Sequence, residues 1–267
     1  MVNHNTSDLK VEFANRAFLY GDAVKASFFL RYGKVILGEE CYFFLMASMR
    51  KMRMNIPLIY TLDYFENLVR EESAAAGLQH AVWHLLVFRD FTDGLLSKAG
   101  ISMHSQLESR DIFEVGKPQV LDIIKEIHVG TNLLSNIRVH SPENIYGAVY
   151  AAENDLDDVI LLNPAKRIAR CTAGNLLFLE GNTVKVPKQS EGAYISPLLE
   201  NFVTFVHKHN LAEILESEMI AFESQKADEI LIISDEKGFI PVASIRNKSF
   251  GFEKYGQMLE AWCGSFS

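Results

Sequence analysis

Apolar residues along this chain fall into short segments whose spacing switches between the period of a strand and that of a helix. Phe28, Phe29 and Leu30, then Val35, Ile36 and Leu37, flank Tyr32-Gly33-Lys34, which predicts a β-hairpin over 26–37. From Glu39 to Asn55 the apolar positions Leu45, Met49, Met52 and Ile56 recur three and four apart, with Arg50, Lys51 and Arg53 on the other side. That is a helix burying one stripe, with the methionines as core filler, and Pro57 stops it. Thr61 caps a second helix through Glu72, closed by the small residues before Gly77, and Val82–Phe88 is a buried strand.

The periodicity fades from Asp90 to Leu121 and turn-formers accumulate, which sets a domain boundary near Gly116–Pro118. The expected division is a smaller N-terminal α/β lobe, 1–117, and a larger C-terminal α+β lobe, 118–267. Ser141-Pro142-Glu143 predicts a helix start, with a hydroxyl cap, proline at the first position and an acid near the positive end of the dipole; the helix runs to about Asn154. Strands follow at Val159–Leu162, Leu176–Leu179 and Val184–Val186. A helix is expected over Pro197–His209, another near Leu211–Ser217, and a strand over Glu229–Ile233. No internal repeat or low-complexity tract is present.

Composition narrows the function classes. The 267 residues are 48% hydrophobic and carry a formal charge of -8. That balance argues against nucleic-acid and anionic-membrane surfaces, which need clustered Lys and Arg. Cys41, Cys171 and Cys263 are odd in number and far apart, so neither a disulfide framework nor a metal site is expected, and a reducing cytoplasm fits best. The segment Met1–Tyr20 has no apolar signal core, and no apolar run approaches the ~18 residues of a membrane span.

Several eye-catching residues carry little chemistry. His207 and His209 stand two apart on a helix, on opposite sides, and cannot jointly grip a metal. His140 beside Ser141 lacks an orienting acid, and Ser141 is already assigned as a cap. Cys171 beside Arg170 is read as a buried thiol rather than an activated one. Asp155-Leu156-Asp157-Asp158 lacks the glycine and terminal glutamate of a calcium loop and reads as a solvated turn.

A collinear set of short pieces resembles the class IV aminotransferase family, which includes branched-chain and D-amino-acid aminotransferases and aminodeoxychorismate lyase. The pieces are Phe18-Leu19-Tyr20-Gly21-Asp22-Ala23, Glu39-Glu40, Leu156-Asp157-Asp158 leading into Leu161-Leu162-Asn163, Gly174-Asn175-Leu176 with Gly181-Asn182, and Ala227-Asp228-Glu229 with Lys237-Gly238. The resemblance implies an α+β, two-domain fold of the D-amino-acid aminotransferase-like type (fold type IV of the enzymes dependent on pyridoxal phosphate). It further implies the cofactor in the interdomain cleft, and a homodimer.

The same resemblance implies particular groups at particular positions, and here the chain departs from the family. The family's chemistry needs a lysine amine for the Schiff base and an acid on the cofactor's ring nitrogen. Counted back from Leu156-Asp157-Asp158, the lysine position falls on Arg138, with Gly130, Ile137 and Val139 as the neighbouring registers, and 126–165 holds no lysine at all. A guanidinium stays protonated and cannot serve as this nucleophile. The ring-nitrogen acid becomes Arg170. The histidine and phosphate-binding arginine of the early helix become Cys41 and Phe44. The strand after Asp22 reads Lys25, Ala26, Ser27 in place of an aromatic, an acid and a threonine. The turn offering amides to the phosphate reads Ser196-Pro197-Leu198-Leu199, and the late Thr-Asn pair reads Ile233-Ser234.

Taken together, these substitutions are read as loss of the cofactor: no cofactor is expected, no residue is assigned as catalytic or metal-binding, and Lys25, Phe44, Arg138, Arg170, Leu199 and Ile233 line a vestigial pocket. The chain is then a pseudoenzyme acting through binding or assembly. The alternative is an active enzyme with relocated groups, with Lys25 as stand-in amine, although a solvent-facing lysine is the simpler reading. A third expectation is that Lys25, Arg138 and Arg170 converge on a small anionic ligand in the interdomain cleft, unless they pair with acids such as Glu143 or Asp157.

Overall fold

The computed structural model describes residues 15–91 and 98–266. The reading of the first residues as free of an export signal falls largely outside them, as does part of the stretch of fading periodicity after Asp90. The chain divides into two compact units. One takes the residues up to Ser109 and returns for Ile137–His140; the other takes Arg110–Asn136 and Ser141–Ser267.

The first unit is an antiparallel sheet in the order β2-β1-β3-β4, built from β1 (Ala23–Arg31), β2 (Lys34–Ile36), β3 (Ala81–Arg89) and β4 (Ile101–Glu108). The predicted hairpin is present, and Tyr32 and Gly33 both take positive φ, as a tight two-residue turn requires. A short helix α1 (Arg16–Tyr20) precedes it. Helices α2 (Gly38–Lys51) and α3 (Leu62–Ala75) follow where the 3.6-residue period put them, and Thr61 Oγ1 accepts the Tyr64 N–H as the expected cap. α3 packs on the face that carries Phe28, which stacks on Phe65 and meets Trp83 edge-on. By alternation, Lys25, Ser27 and Phe29 of β1 and Val82, His84 and Leu86 of β3 face the other way. β4 lies in the stretch read as irregular. Its signal was a period of two in Ile101, Met103 and Leu107, masked by the polar residues between them.

The second unit is built on a mixed nine-stranded sheet. Its strands are β5 (Gln119–His128), β6 (Asp158–Leu162), β7 (Ile168–Cys171), β8 (Asn175–Glu180), β9 (Thr183–Pro187), β10 (Glu213–Ser217), β11 (Glu229–Ser234), β12 (Gly238–Ile245) and β13 (Lys248–Ser249). They run in the order β10-β9-β8-β11-β12-β5-β6-β7, with β13 on β12. Leu121, Ile160, Leu176, Phe178, Ile230, Ile232 and Val242 form the main core beneath them. Helices α4 (Pro142–Glu153), α5 (Pro197–Lys208) and α6 (Glu253–Gly264) complete the unit.

Two local expectations are corrected. The helix expected near Leu211–Ser217 is β10: Asn210 turns the chain through positive φ, and five residues too few to sustain a helix instead add a parallel strand to β9. Ser141 does begin α4, but its hydroxyl donates to Glu143 Oε2 and Asn144 Oδ1 and accepts no helix amide.

Candidate functional site

In the second unit the site is organised around Arg170. Its strand β7 is buried along its whole length, and Arg170 itself is only 3% exposed. Nη1 donates to the Gly192 carbonyl at 2.8 Å and Nη2 to Asn144 Oδ1 at 3.1 Å, while the guanidinium lies 4.2 Å over the Tyr194 ring. Nε has no acceptor. The expected pairing with a neighbouring acid does not occur: Asp157 Oδ2 takes the Val120 N–H at 2.7 Å and Glu143 takes the Ser141 hydroxyl. Among the described residues, then, this buried cation is held by carbonyl oxygens and an aromatic face, with no carboxylate.

The segment 192–196 connects Arg170 to the start of α5. Gly192 takes a φ of +101°, which a side chain would oppose, and so presents its carbonyl to Arg170. Asn175 holds Tyr194 at both backbone groups: Nδ2 donates to its carbonyl at 2.9 Å and Oδ1 accepts its N–H at 2.8 Å. Asn175 in turn pairs with Ile233 across the β8–β11 ladder. Gly174 lies so close to the Ile233 carbonyl that an added Cβ would sit 2.3 Å from it. At the end of β11, Asp235 Oδ1 accepts the Ser196 hydroxyl at 2.8 Å and the Leu198 N–H at 3.2 Å, and Ser196 Oγ accepts the Leu199 N–H. An internal carboxylate and the serine bonded to it therefore already serve one amide each at this helix start. Burial, and then the Asp235 charge, push the Glu200 carboxyl above the usual carboxylate range.

The first unit holds Lys25, Phe44 and Arg138. Lys25 donates its backbone N–H to the Arg138 carbonyl at 2.8 Å, so these two residues are neighbours, and the Lys25 side chain is exposed. Arg138 is 8% exposed, and Phe44 is buried on α2. The Tyr20-Gly21-Asp22 motif has a structural role here. Gly21 ends α1 at positive φ directly against His140, and the buried Asp22 carboxylate pairs with Arg16 at 2.6 Å and with Arg89.

Other sequence readings resolve clearly. Cys171 is a buried thiol bonded to the Gly174 carbonyl; burial, and then the nearby Asp158, raise its pKa well above the ordinary value. Asp158 is not in a solvated turn: it is buried and accepts from Thr172 N–H, Thr172 Oγ1 and Ala173 N–H. Among the described residues no cluster of His, Cys, Asp and Glu could hold a metal, and no helix is long and apolar enough to cross a membrane. Asn144, Tyr194 and Asp235 were not singled out in the sequence, because their importance comes from contacts across distant segments.

Compared with known proteins, residues 45–245 match the family model for amino-transferase class IV. No curated protein sequence matches. Many solved structures are similar over nearly the whole chain, among them the following three. A candidate 4-amino-4-deoxychorismate lyase of Legionella pneumophila is 17% identical at a TM-score of 0.84, covering 95% of this chain and 94% of that one. The branched-chain amino acid aminotransferase of Escherichia coli is 14% identical at 0.84, covering 98% and 91%. An aminotransferase of Brucella abortus, solved with bound pyridoxal phosphate, is 12% identical at 0.83, covering 95% and 91%. The fold is that of the fold type IV enzymes.

These matches correct the expectation that no cofactor is taken. The fold is shared with proteins solved with pyridoxal phosphate bound, and no observation on this chain shows the group to be lost. What the residues show is narrower. They do not fit the group as the resemblance implies the family holds it: residue 138 offers a guanidinium, Arg170 puts a cation where an acid is implied, and the first α5 amides are already taken, Leu198 by Asp235 and Leu199 by Ser196.

Proposed function

Because the chain belongs to the class IV aminotransferase family, we propose that it is an aminotransferase-like protein that has lost the family's lysine-dependent transaminase and lyase turnover, and that it acts through binding or assembly. The observation that carries this is the environment of Arg170. The guanidinium is fixed by Gly192, Asn144 and Tyr194, all of which present oxygen or π-electron density to a cation. An acid at that position would face the Gly192 carbonyl and Asn144 Oδ1, and would have to turn Asn144 or draw on the Tyr194 hydroxyl to find a donor. The substitution is therefore built into its surroundings, and together with Arg138 it removes both groups on which the family's chemistry depends. The proposal concerns turnover, not binding, so pyridoxal phosphate is supplied in every assay. Purified protein with the cofactor, amino donors, 2-oxo acids and 4-amino-4-deoxychorismate should show no turnover above the cofactor in buffer. Turnover that survives Lys25→Ala would refute both this reading and the next.

The second reading is an active enzyme using Lys25, favoured by the hydrogen bond that sets Lys25 beside Arg138. It requires measurable turnover that Lys25→Ala abolishes. We further propose a homodimer, tested by light scattering, in which a monomer at micromolar concentration would count against it.

A further inference from the structure

Lys25 and Ser27, which the family reading gives to the cofactor pocket, belong to a second arrangement on the face of the first unit's sheet opposite Phe28. On it, Ser27 of β1 stands directly opposite His84 of β3, and Glu108 of β4 is diagonal to His84. Ser27 Oγ lies 3.3 Å from His84 Nδ1, and Glu108 Oε2 lies 3.0 Å from His84 Nε2. A carboxylate accepts, so in the neutral imidazole this contact puts the ring proton on Nε2 and the Nδ1 lone pair faces the serine hydroxyl. Ser27 is 5% exposed, and the His84 side chain is 26% exposed, so the serine is sheltered while the ring reaches solvent. The hydrogen bond between Lys25 and Arg138 shows that the odd-numbered amides of β1 point away from β3. Ser27 and His84 are thus a close, non-hydrogen-bonded pair whose side chains meet. Lys25, two residues earlier, presents an ammonium on the same face.

We propose that Ser27, His84 and Glu108 form a nucleophile, base and orienting acid for acyl transfer from small activated carboxylic esters. Ser27 Oγ bonds to the carbonyl carbon as its proton passes to His84 Nδ1, and the carbonyl π pair moves to the oxygen, where Lys25 supplies positive charge. Collapse breaks the bond to the leaving alkoxide, which takes the proton from Nδ1. Water then repeats the cycle, releasing the acid and restoring Ser27. Glu108 accepts from Nε2 and holds the ring in one tautomer.

The test is labelling of the full-length protein with a fluorophosphonate probe, read by intact mass and peptide mapping. One adduct on Ser27 is expected, absent in Ser27→Ala, slowed about 10²-fold or more in His84→Gln and less in Glu108→Gln. The proposal is overturned if the wild-type protein carries no adduct on Ser27, or if His84→Gln with an unchanged circular dichroism spectrum labels at the wild-type rate. The wild-type mapping decides the matter even if a variant fails to fold, and neither result depends on transaminase turnover.

Discussion

Arg170→Glu, which returns an acid to the position where the family implies one, should damage the protein. The guanidinium makes two hydrogen bonds, to Gly192 and Asn144, and stacks on Tyr194 while almost fully buried. Bonds from a charged donor contribute about 1.5–3 kcal/mol each, and a desolvated cation–π contact about 2 kcal/mol. A glutamate would forfeit these and bury an anion facing the Gly192 carbonyl. Relief of the desolvation of the original cation offsets part of the loss, which leaves a net cost of about 5 kcal/mol. Arg170→Met keeps the apolar stem and chiefly strands one carbonyl, at about 1–3 kcal/mol. In scanning calorimetry the glutamate variant should melt about 10–20 °C below wild type and the methionine variant a few degrees below. A glutamate variant as stable as wild type, or more stable than the methionine variant, would show that these surroundings do not require a cation.

Two further outcomes test the rest of the second unit. Glu229 is buried and accepts the Glu253, Lys254 and Tyr255 amides at 2.9 Å each, so it caps α6 from β11. Glu229→Ala should cost about 3–5 kcal/mol in urea unfolding, and a loss under about 1 kcal/mol would contradict that role. Because the Cys171 pKa is raised well above 9.0 in the folded protein, the unfolded chain releases its proton first as pH climbs. The folded state then binds more protons, so stability falls above about pH 9. Cys171→Ala should flatten that decline, and native Cys171 should resist iodoacetamide; rapid labelling would refute the burial argument.

How much of this could be seen in the sequence depended on where each signal came from. The hairpin at Tyr32-Gly33, the Thr61 cap and the Pro197 helix start are written in residues within a few positions of one another, and the structure shows all three. β10 is not legible locally, because Glu213–Ser217 is short and takes its conformation from the edge of β9. β12 and α6 escaped the reading, although Lys237-Gly238 marks the turn before β12 and Tyr255, Met258, Leu259 and Trp262 give α6 a helical stripe. At the site, the resemblance pointed to Arg138 and Arg170 by position alone. It could not show that Arg170 would be held by Gly192, Asn144 and Tyr194, or that Asp235 would accept from Ser196 and the Leu198 amide, because those contacts join segments 22 to 39 residues apart. The expectation of cofactor loss went further than absent side chains can support: they bear on how a group is attached, not on whether it binds.

The central claim is that this scaffold no longer works through a lysine. Incubation with pyridoxal phosphate, borohydride reduction and peptide mapping test it most directly. The account predicts no stoichiometric pyridoxyl-lysine at any single position, whether or not the cofactor binds. A single lysine modified to completion, with Lys25 the first to examine, would contradict it.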